Sequence, residues 1–371
     1  MEVPLPVEQQ ALRRRVRLRG LRYLVTLIAP AWGLVSLLGH GAWTWAPLIH
    51  GFVVVPVLEL LLPRRPDNLS ADEEAVAKND PFFDALLYLV VPMQWGLLLL
   101  FLSGIGDAAL TRWEVAGRTA SMALLCGIYG INVAHELGHR AKRWERDLAR
   151  ALLLTSLYMH FIIEHNRGHH RRVATPEDPA SARYGEWLYA FWARSMALSF
   201  LSAWRLEAER LRKAGRSPWS WRNEMIQAMG WQAGLVAAVG WFFGPFALGC
   251  FIAAAVGGGL LLETVNYIEH YGLRRTLDAQ GRYRRVAHVH SWNSDHLLGR
   301  LTLFELTRHS DHHWKASKKY QTLHSINQAP QLPTGYPATM LLAAVPPLFF
   351  AVMHPRLRAL AGGDPEVELA V

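Results

Sequence analysis

The sequence predicts an all-α integral membrane protein: six transmembrane helices with a cytoplasmic, histidine-rich helical cap, one membrane-embedded domain over residues 1–371. Three observations carry that prediction. Apolar runs near the roughly 20 residues needed to cross a bilayer alternate with charged stretches. Basic residues gather at every second connector only. Nine of the 17 histidines stand in four clusters, all at the basic side. With 51% hydrophobic and 19% charged residues, a mean hydropathy of only +0.08 marks an average over two kinds of segment.

The elements follow in order. The stretch MEVPLPVEQQALRRRVRLRG has no small-residue cleavage site after its first apolar run, and reads as a basic cytoplasmic anchor. Residues 21–39 form the first span, 42–62 the second, 85–104 the third and 117–135 a weaker fourth. Residues 225–243 and 246–268 form the fifth and sixth, joined by a tight Gly244–Pro245 turn. Pro30, Pro56 and Pro92 lie inside spans, where neighbouring groups can satisfy the freed carbonyls. The run 339–353, interrupted by Pro346–Pro347, is expected to be membrane-associated without spanning.

Charge sets the orientation. Arg13–Arg15, Arg17, Arg19 and Arg22 precede the first span, Arg64 and Arg65 follow the second, and Arg140, Lys142, Arg143 and Arg146 follow the fourth. Arg274, Arg275, Arg282, Arg284 and Arg285 follow the sixth, while the opposite connectors hold Arg112 alone. Both termini and the segments 136–224 and 269–337 are therefore expected on the cytoplasmic side. The net charge of +9 flanks apolar runs, which favours lipid headgroups. No nucleic-acid-binding pattern is present. Cys126 and Cys250 lie in apolar runs and form no CxxC, so the chain builds no four-cysteine metal site. There is no GxGxxG after a strand and no P-loop, so no flavin or nicotinamide module is fused to it.

The histidines are spaced for metal. HELGH places His135 and His139 at i, i+4, on one helix face. Taken alone, it matches the zinc-protease HExxH with Glu136 as general base. EHNRGHH adds His165, His169 and His170; NYIEHYG adds His270; RHSDHH adds His309, His312 and His313. Zinc needs three or four ligands. Nine imidazoles suit two metals, and imidazole itself does not choose among iron, zinc, copper and nickel. The cap is thus expected to hold a di-metal site. Glu136, Glu164, Glu269 and Asp311 adjoin ligands and suit hydrogen bonding to the outer imidazole nitrogens. Glu263 lies inside the sixth span, seven residues before His270 and on roughly its face. His160, His290 and His296 are further candidates for such contacts; His40, His50, His324 and His354 are read as ordinary surface or core residues.

Together HELGH, EHNRGHHRRVATPEDPAS, NYIEHYGL and LTRHSDHHWKASKKYQTL resemble the integral-membrane alkane monooxygenases, also called alkane hydroxylases, within the membrane fatty acid desaturase and hydroxylase superfamily. SWNSDH near residue 291 and LPTGYP near residue 332 extend the resemblance. It implies a bacterial inner-membrane enzyme with two non-haem iron ions held by the nine histidines. It implies O2-dependent hydroxylation of the terminal methyl of medium- to long-chain n-alkanes to 1-alkanols, with electrons from rubredoxin and its reductase. Catalytic roles are expected for Glu136, Glu263, Glu269 and Asp311. Rubredoxins are typically acidic, and Lys315, Lys318 and Lys319 are the expected docking surface. Small residues at Gly257–Gly259 serve either a substrate tunnel or helix packing. The rival readings are a fatty acyl desaturase, an aromatic-methyl hydroxylase, an intramembrane zinc protease, and a metal transporter.

Overall fold

Proline placement shapes the apolar helices of the computed structural model, which describes residues 7–364 and 366–370. The first helix runs over Glu8–Leu38. It tightens to 3₁₀ over Leu21–Leu27 and resumes as α-helix over Ile28–Leu38. Pro30 has no N–H to donate to the Thr26 carbonyl, and its ring crowds that turn, so the irregularity falls there. The second helix, Gly41–Leu61, passes through a π turn at His50–Val54 just before Pro56, for the same reason. Pro81 opens the third, Pro81–Gly104, capped by the Asp80 carboxylate accepting from Phe82 N–H at 3.0 Å.

Glu224–His270 has 47 residues, about 70 Å if straight and over twice the roughly 30 Å hydrocarbon core. It breaks at Gly244 (φ 83°, ψ 170°), a conformation open to glycine, with Pro245 next. A Cβ at Gly240 would sit 3.3 Å from Leu248 Cδ2. A straight helix rises about 12 Å over those eight residues, so the chain doubles back.

Among the described residues, four helices are long and apolar enough to cross a membrane: the three above and Glu224–His270. Tyr336–Ala343 and Pro346–Gly363, bent by 119°, make a fifth if the pair is one broken span. The expected fourth span lies in helix 112–138, outside that set. Its first part, Arg112–Leu124, has 13 residues and carries Arg112, Glu114 and Arg118; a π turn at Leu125–Ile131 separates it from Asn132–Gly138. An all-α chain was expected, but a two-stranded antiparallel ribbon pairs Leu273–Arg275 with Val367–Leu369.

Helix 112–138 packs on Glu224–His270 through small residues. Added Cβ atoms at Gly257 and Gly258 would lie 2.7 Å from the Cβ atoms of Ala123 and Cys126. Gly257 and Gly258 therefore serve close helix packing, while a Cβ at Gly259 would face the Tyr158 ring at 3.3 Å. Residue 123 meets 257 and residue 127 meets 261, so the two helices run parallel and end together, near Gly138 and His270. Leu60, Leu61, Trp241 and Phe242 stay exposed, an outer surface suited to hydrocarbon.

Candidate metal centre

The parallel helix ends bring HELGH beside His270, and the segments around EHNRGHH and His309–Trp314 close over them. All nine expected histidines meet there, in two groups. His135, His139, His165, His170 and His312 form one; His169, His270, His309 and His313 form the other. The adjacent pairs His169–His170 and His312–His313 each split between the groups. Neighbouring residues on a helix point about 100° apart, so one HH dipeptide serves two centres.

Every ring turns Nε2 inward. In the first group His135 and His312 approach to 2.9 Å, His312 and His170 to 3.1 Å, and His170 and His165 to 2.9 Å. His139 stands 3.1 Å from His165 and 3.2 Å from His170. In the second group His309 stands 2.9 Å from His313 and 3.1 Å from His270, and His169 stands 3.2 Å from His313. Nitrogens at right angles around an ion, each about 2.1 Å from it, stand about 3.0 Å apart. The donor chemistry agrees. Each neutral Nε2 offers one proton or one lone pair, so the triangle of His139, His165 and His170 cannot satisfy itself by hydrogen bonds. A central cation accepts all three lone pairs. Burial, then neighbouring imidazoles, push His165, His170, His309, His312 and His313 well below the usual imidazole range, and His139 to about 3. All six are thus neutral near pH 7, the state a metal requires.

One further carboxylate, which no spacing in the sequence marks, joins the site. Buried His169 Nδ1 donates to Asp178 Oδ2 at 2.9 Å, which fixes the tautomer that presents Nε2 inward. Asp178 also accepts from Ser181 Oγ at 2.6 Å and from Ala180 N–H at 3.2 Å. Burial would raise this carboxyl, but His169 and Ser181 hold it below its ordinary range. Asp178 lies in the quoted PEDPAS string, nine residues from His169, and only the intervening turns make them neighbours.

The expected carboxylates divide. Glu269 Oε2 stands 3.2 Å from the inward nitrogen of His309, and its Oε1 accepts from Tyr336 OH at 2.8 Å. Glu136 pairs with Arg140 at 2.8 Å and accepts from Tyr320 N–H. Glu263 accepts from Tyr158 OH and Ser195 Oγ. Glu164 pairs with Arg172 at 2.5 Å. A Cβ at Gly168 would strike both partners, which explains the glycine inside EHNRGHH. Asp311 is taken up by Lys318 and by the His324 N–H. Lys319 pairs with Asp84, so two of the three lysines expected to face a partner protein are engaged internally. His160, His290 and His296 join neither group. His290 accepts from Ala287 N–H and donates to the Glu366 carbonyl, a loop-fixing role.

The flanking motifs hold the boxes in register. Asn293 of SWNSDH accepts from Ser310 N–H at 2.8 Å and donates to Ser310 Oγ at 2.8 Å, while Trp292 N–H donates to the Glu269 carbonyl. Phe304 (φ 50°) and Glu305 (φ 58°) are left-handed just before RHSDHH. That strain, about 1–3 kcal/mol each, persists because buried Glu305 accepts from Tyr23 OH and pairs with Arg300.

A cavity of about 210 Å³ ends on both groups, at His135, His165 and His309, with Glu269 beside them. Its walls are otherwise almost wholly apolar, with Ile28, Val55, Leu125, Ile128 and Leu261 among them. His50, expected to be an ordinary residue, also lines it, with its ring 6.0 Å from Trp32.

The sequence matches the fatty acid desaturase family over residues 111–342, which contain all nine histidines. It is 40% identical to alkane 1-monooxygenase 2 of Pseudomonas aeruginosa over 327 residues, 87% of this chain and 86% of that one. It is 38% identical to alkane 1-monooxygenase 1 of Alcanivorax borkumensis over 89% of this chain and 82% of that one. The xylene/toluene monooxygenase hydroxylase component XylM of Pseudomonas putida is 32% identical over 91% of this chain and 89% of its own.

Proposed function

We propose a function from one premise: the chain belongs to the alkane 1-monooxygenase family, within the wider fatty acid desaturase superfamily. It is an oxidoreductase that hydroxylates the terminal methyl of medium- to long-chain n-alkanes. R–CH3, O2, two electrons and two protons give R–CH2OH and water. The observation that carries this reading is the apolar cavity whose inner end is formed by imidazoles of both histidine groups. An alkane offers no polar handle, so only such a shape can present its terminal carbon.

The five-histidine and four-histidine groups would each hold one iron, and the pair would supply oxygen activation and the two-electron chemistry. The protein's own part is positional. The cavity walls exclude water and admit the chain end-on. Asp178 fixes His169 in the tautomer that offers Nε2. Glu269 is the one expected catalytic carboxylate that lines the cavity, and with the Tyr336 hydroxyl on its Oε1 it is a proton-bearing pair at the reacting end. Glu136, Glu263 and Asp311 act through the structure: they fix the HELGH helix end, the interior of the long helix and the loop after RHSDHH. Glu136 is held by Arg140 and its helix joins five imidazoles, which disfavours the zinc-protease reading.

We read residues 1–371 as one catalytic domain in the bacterial inner membrane. Helix 112–138 and the two arms of Glu224–His270 complete six spans, with both termini and the metal centre cytoplasmic; the one-sided arginines support this. Rubredoxin, reduced by its reductase, supplies the electrons. The test is turnover by purified protein with rubredoxin and reductase on a mixture of n-alkanes, p-xylene and a fatty acyl substrate. The expected products are 1-alkanols. Ring-methyl alcohols alone would move the chain to the function named for XylM, and an alkene product would make it a desaturase.

A further inference from the structure

On the side of the five-histidine group lies an open basin of about 920 Å³, and His139 forms part of its wall. Eight arginines and one glutamate, Glu224, line it. Half of the arginines are neutralised. Arg140 pairs with Glu136 and Asp84, Arg150 and Arg167 with Glu224, and Arg210 with Glu207. The other four, Arg143, Arg146, Arg216 and Arg222, have no carboxylate partner among the described residues. Arg143, Arg216 and Arg222 are exposed, and Arg146 donates to the backbone carbonyls of Arg140 and Ala141. Four uncompensated guanidinium groups around one concavity make a strong, salt-sensitive attraction for an anionic surface.

We propose that this basin is where an acidic electron-carrying protein docks, and that His139 is the entry to the metal centre. The proposal rests on the monooxygenase reading, which needs two electrons per turnover. His139 is partly exposed, unlike most of the nine, and its Nε2 belongs to the five-histidine group. One imidazole ring thus separates the basin from the metal-facing nitrogens. A one-electron carrier visits twice, and at each visit its iron is oxidised from ferrous to ferric while one electron passes inward. The two electrons, with two protons and O2, account for the alcohol and the water. The lysines beside RHSDHH are a weaker candidate, because Lys318 and Lys319 already bind Asp311 and Asp84. Anionic lipid is the rival occupant, since Trp219 and Trp221 stand exposed beside Arg222. The basin's access to His139 favours the protein, because a headgroup gains nothing from reaching a metal-facing ring.

The test uses the full chain in neutral-lipid nanodiscs and an acidic rubredoxin. Its affinity is measured across a salt series for the wild type, for Arg143→Glu with Arg222→Glu, and for Arg282→Glu with Arg285→Glu as the same double charge reversal outside the basin. The basin double variant is expected to bind about tenfold or more weakly, with a flatter salt dependence, while the Arg282→Glu, Arg285→Glu control binds as the wild type. In turnover, KM for rubredoxin rises and kcat at saturation holds. Equal affinity of double variant and wild type overturns the proposal. So does a double variant that keeps its rubredoxin affinity but loses association with phosphatidylglycerol vesicles, which would assign the basin to headgroups. A wild type that binds rubredoxin through these arginines yet makes no alcohol overturns the monooxygenase reading alone. Rubredoxin-driven turnover that ignores the double variant overturns the docking alone.

Discussion

Asp178→Ala should loosen metal from the four-histidine group without touching a ligand. The carboxylate is buried and accepts from His169 Nδ1 at 2.9 Å. Removing it strands an N–H in the interior and frees the ring to turn. A buried hydrogen bond to a charged group is worth about 1.5–3 kcal/mol, which is roughly 10- to 150-fold in an equilibrium constant. Changes to such outer partners of metal-bound imidazoles typically cost about 10- to 100-fold in metal affinity or activity, in agreement. Asp178→Asn keeps an acceptor oxygen but loses the charge, so its loss should be smaller, about tenfold. The assay is competition against a graded chelator on purified protein, with bound metal counted by mass spectrometry. Ser181→Ala separates stability from metal holding. It removes the 2.6 Å donor to the same carboxylate but leaves the His169 pair, so it should lower Tm without releasing metal. Asp178→Ala protein that keeps its metal against chelator as firmly as the wild type would refute the reasoning.

Three further outcomes are expected. His312→Ala, which removes the partner of His135 and His170, should lower bound iron from about two per chain to about one and abolish turnover. Gly168→Ala should cost about 1–3 kcal/mol in stability, read as a lower Tm, because its methyl group strikes the Glu164–Arg172 pair. Leu124 and His135 both line the cavity, 11 residues apart on one helix, so its length is about 16 Å. An extended chain advances about 1.2 Å per bond, so roughly 13 carbons fit; Gly51→Phe, opposite Leu124, should shift the alcohols toward shorter chains in a gas-chromatographic profile.

The nine histidines were legible because their chemistry is rare and their spacing is helical. Their division into five and four is also written in the two HH dipeptides, whose side chains diverge by about 100° on a helix and so face different ions. Asp178 was not legible, since its pairing depends on turns around Thr175–Ser181 that no periodicity encodes. Nor was the arginine basin, because its charges come from helix ends and a loop distant in sequence, and only folding shows which guanidinium groups keep a carboxylate. The apolar runs located the helices. They did not show that helix 112–138 is broken by a π turn ahead of HELGH, or that Glu263 is consumed by Tyr158 and Ser195.

The most direct measurement is turnover of a single n-alkane under 18O2, with the product's oxygen and its position read by mass spectrometry. The account predicts a 1-alkanol carrying one atom of 18O, formed by the wild type and not by His312→Ala. Alcohol bearing oxygen from water, or iron-loaded protein that consumes no O2 with alkane and reduced rubredoxin present, would contradict it.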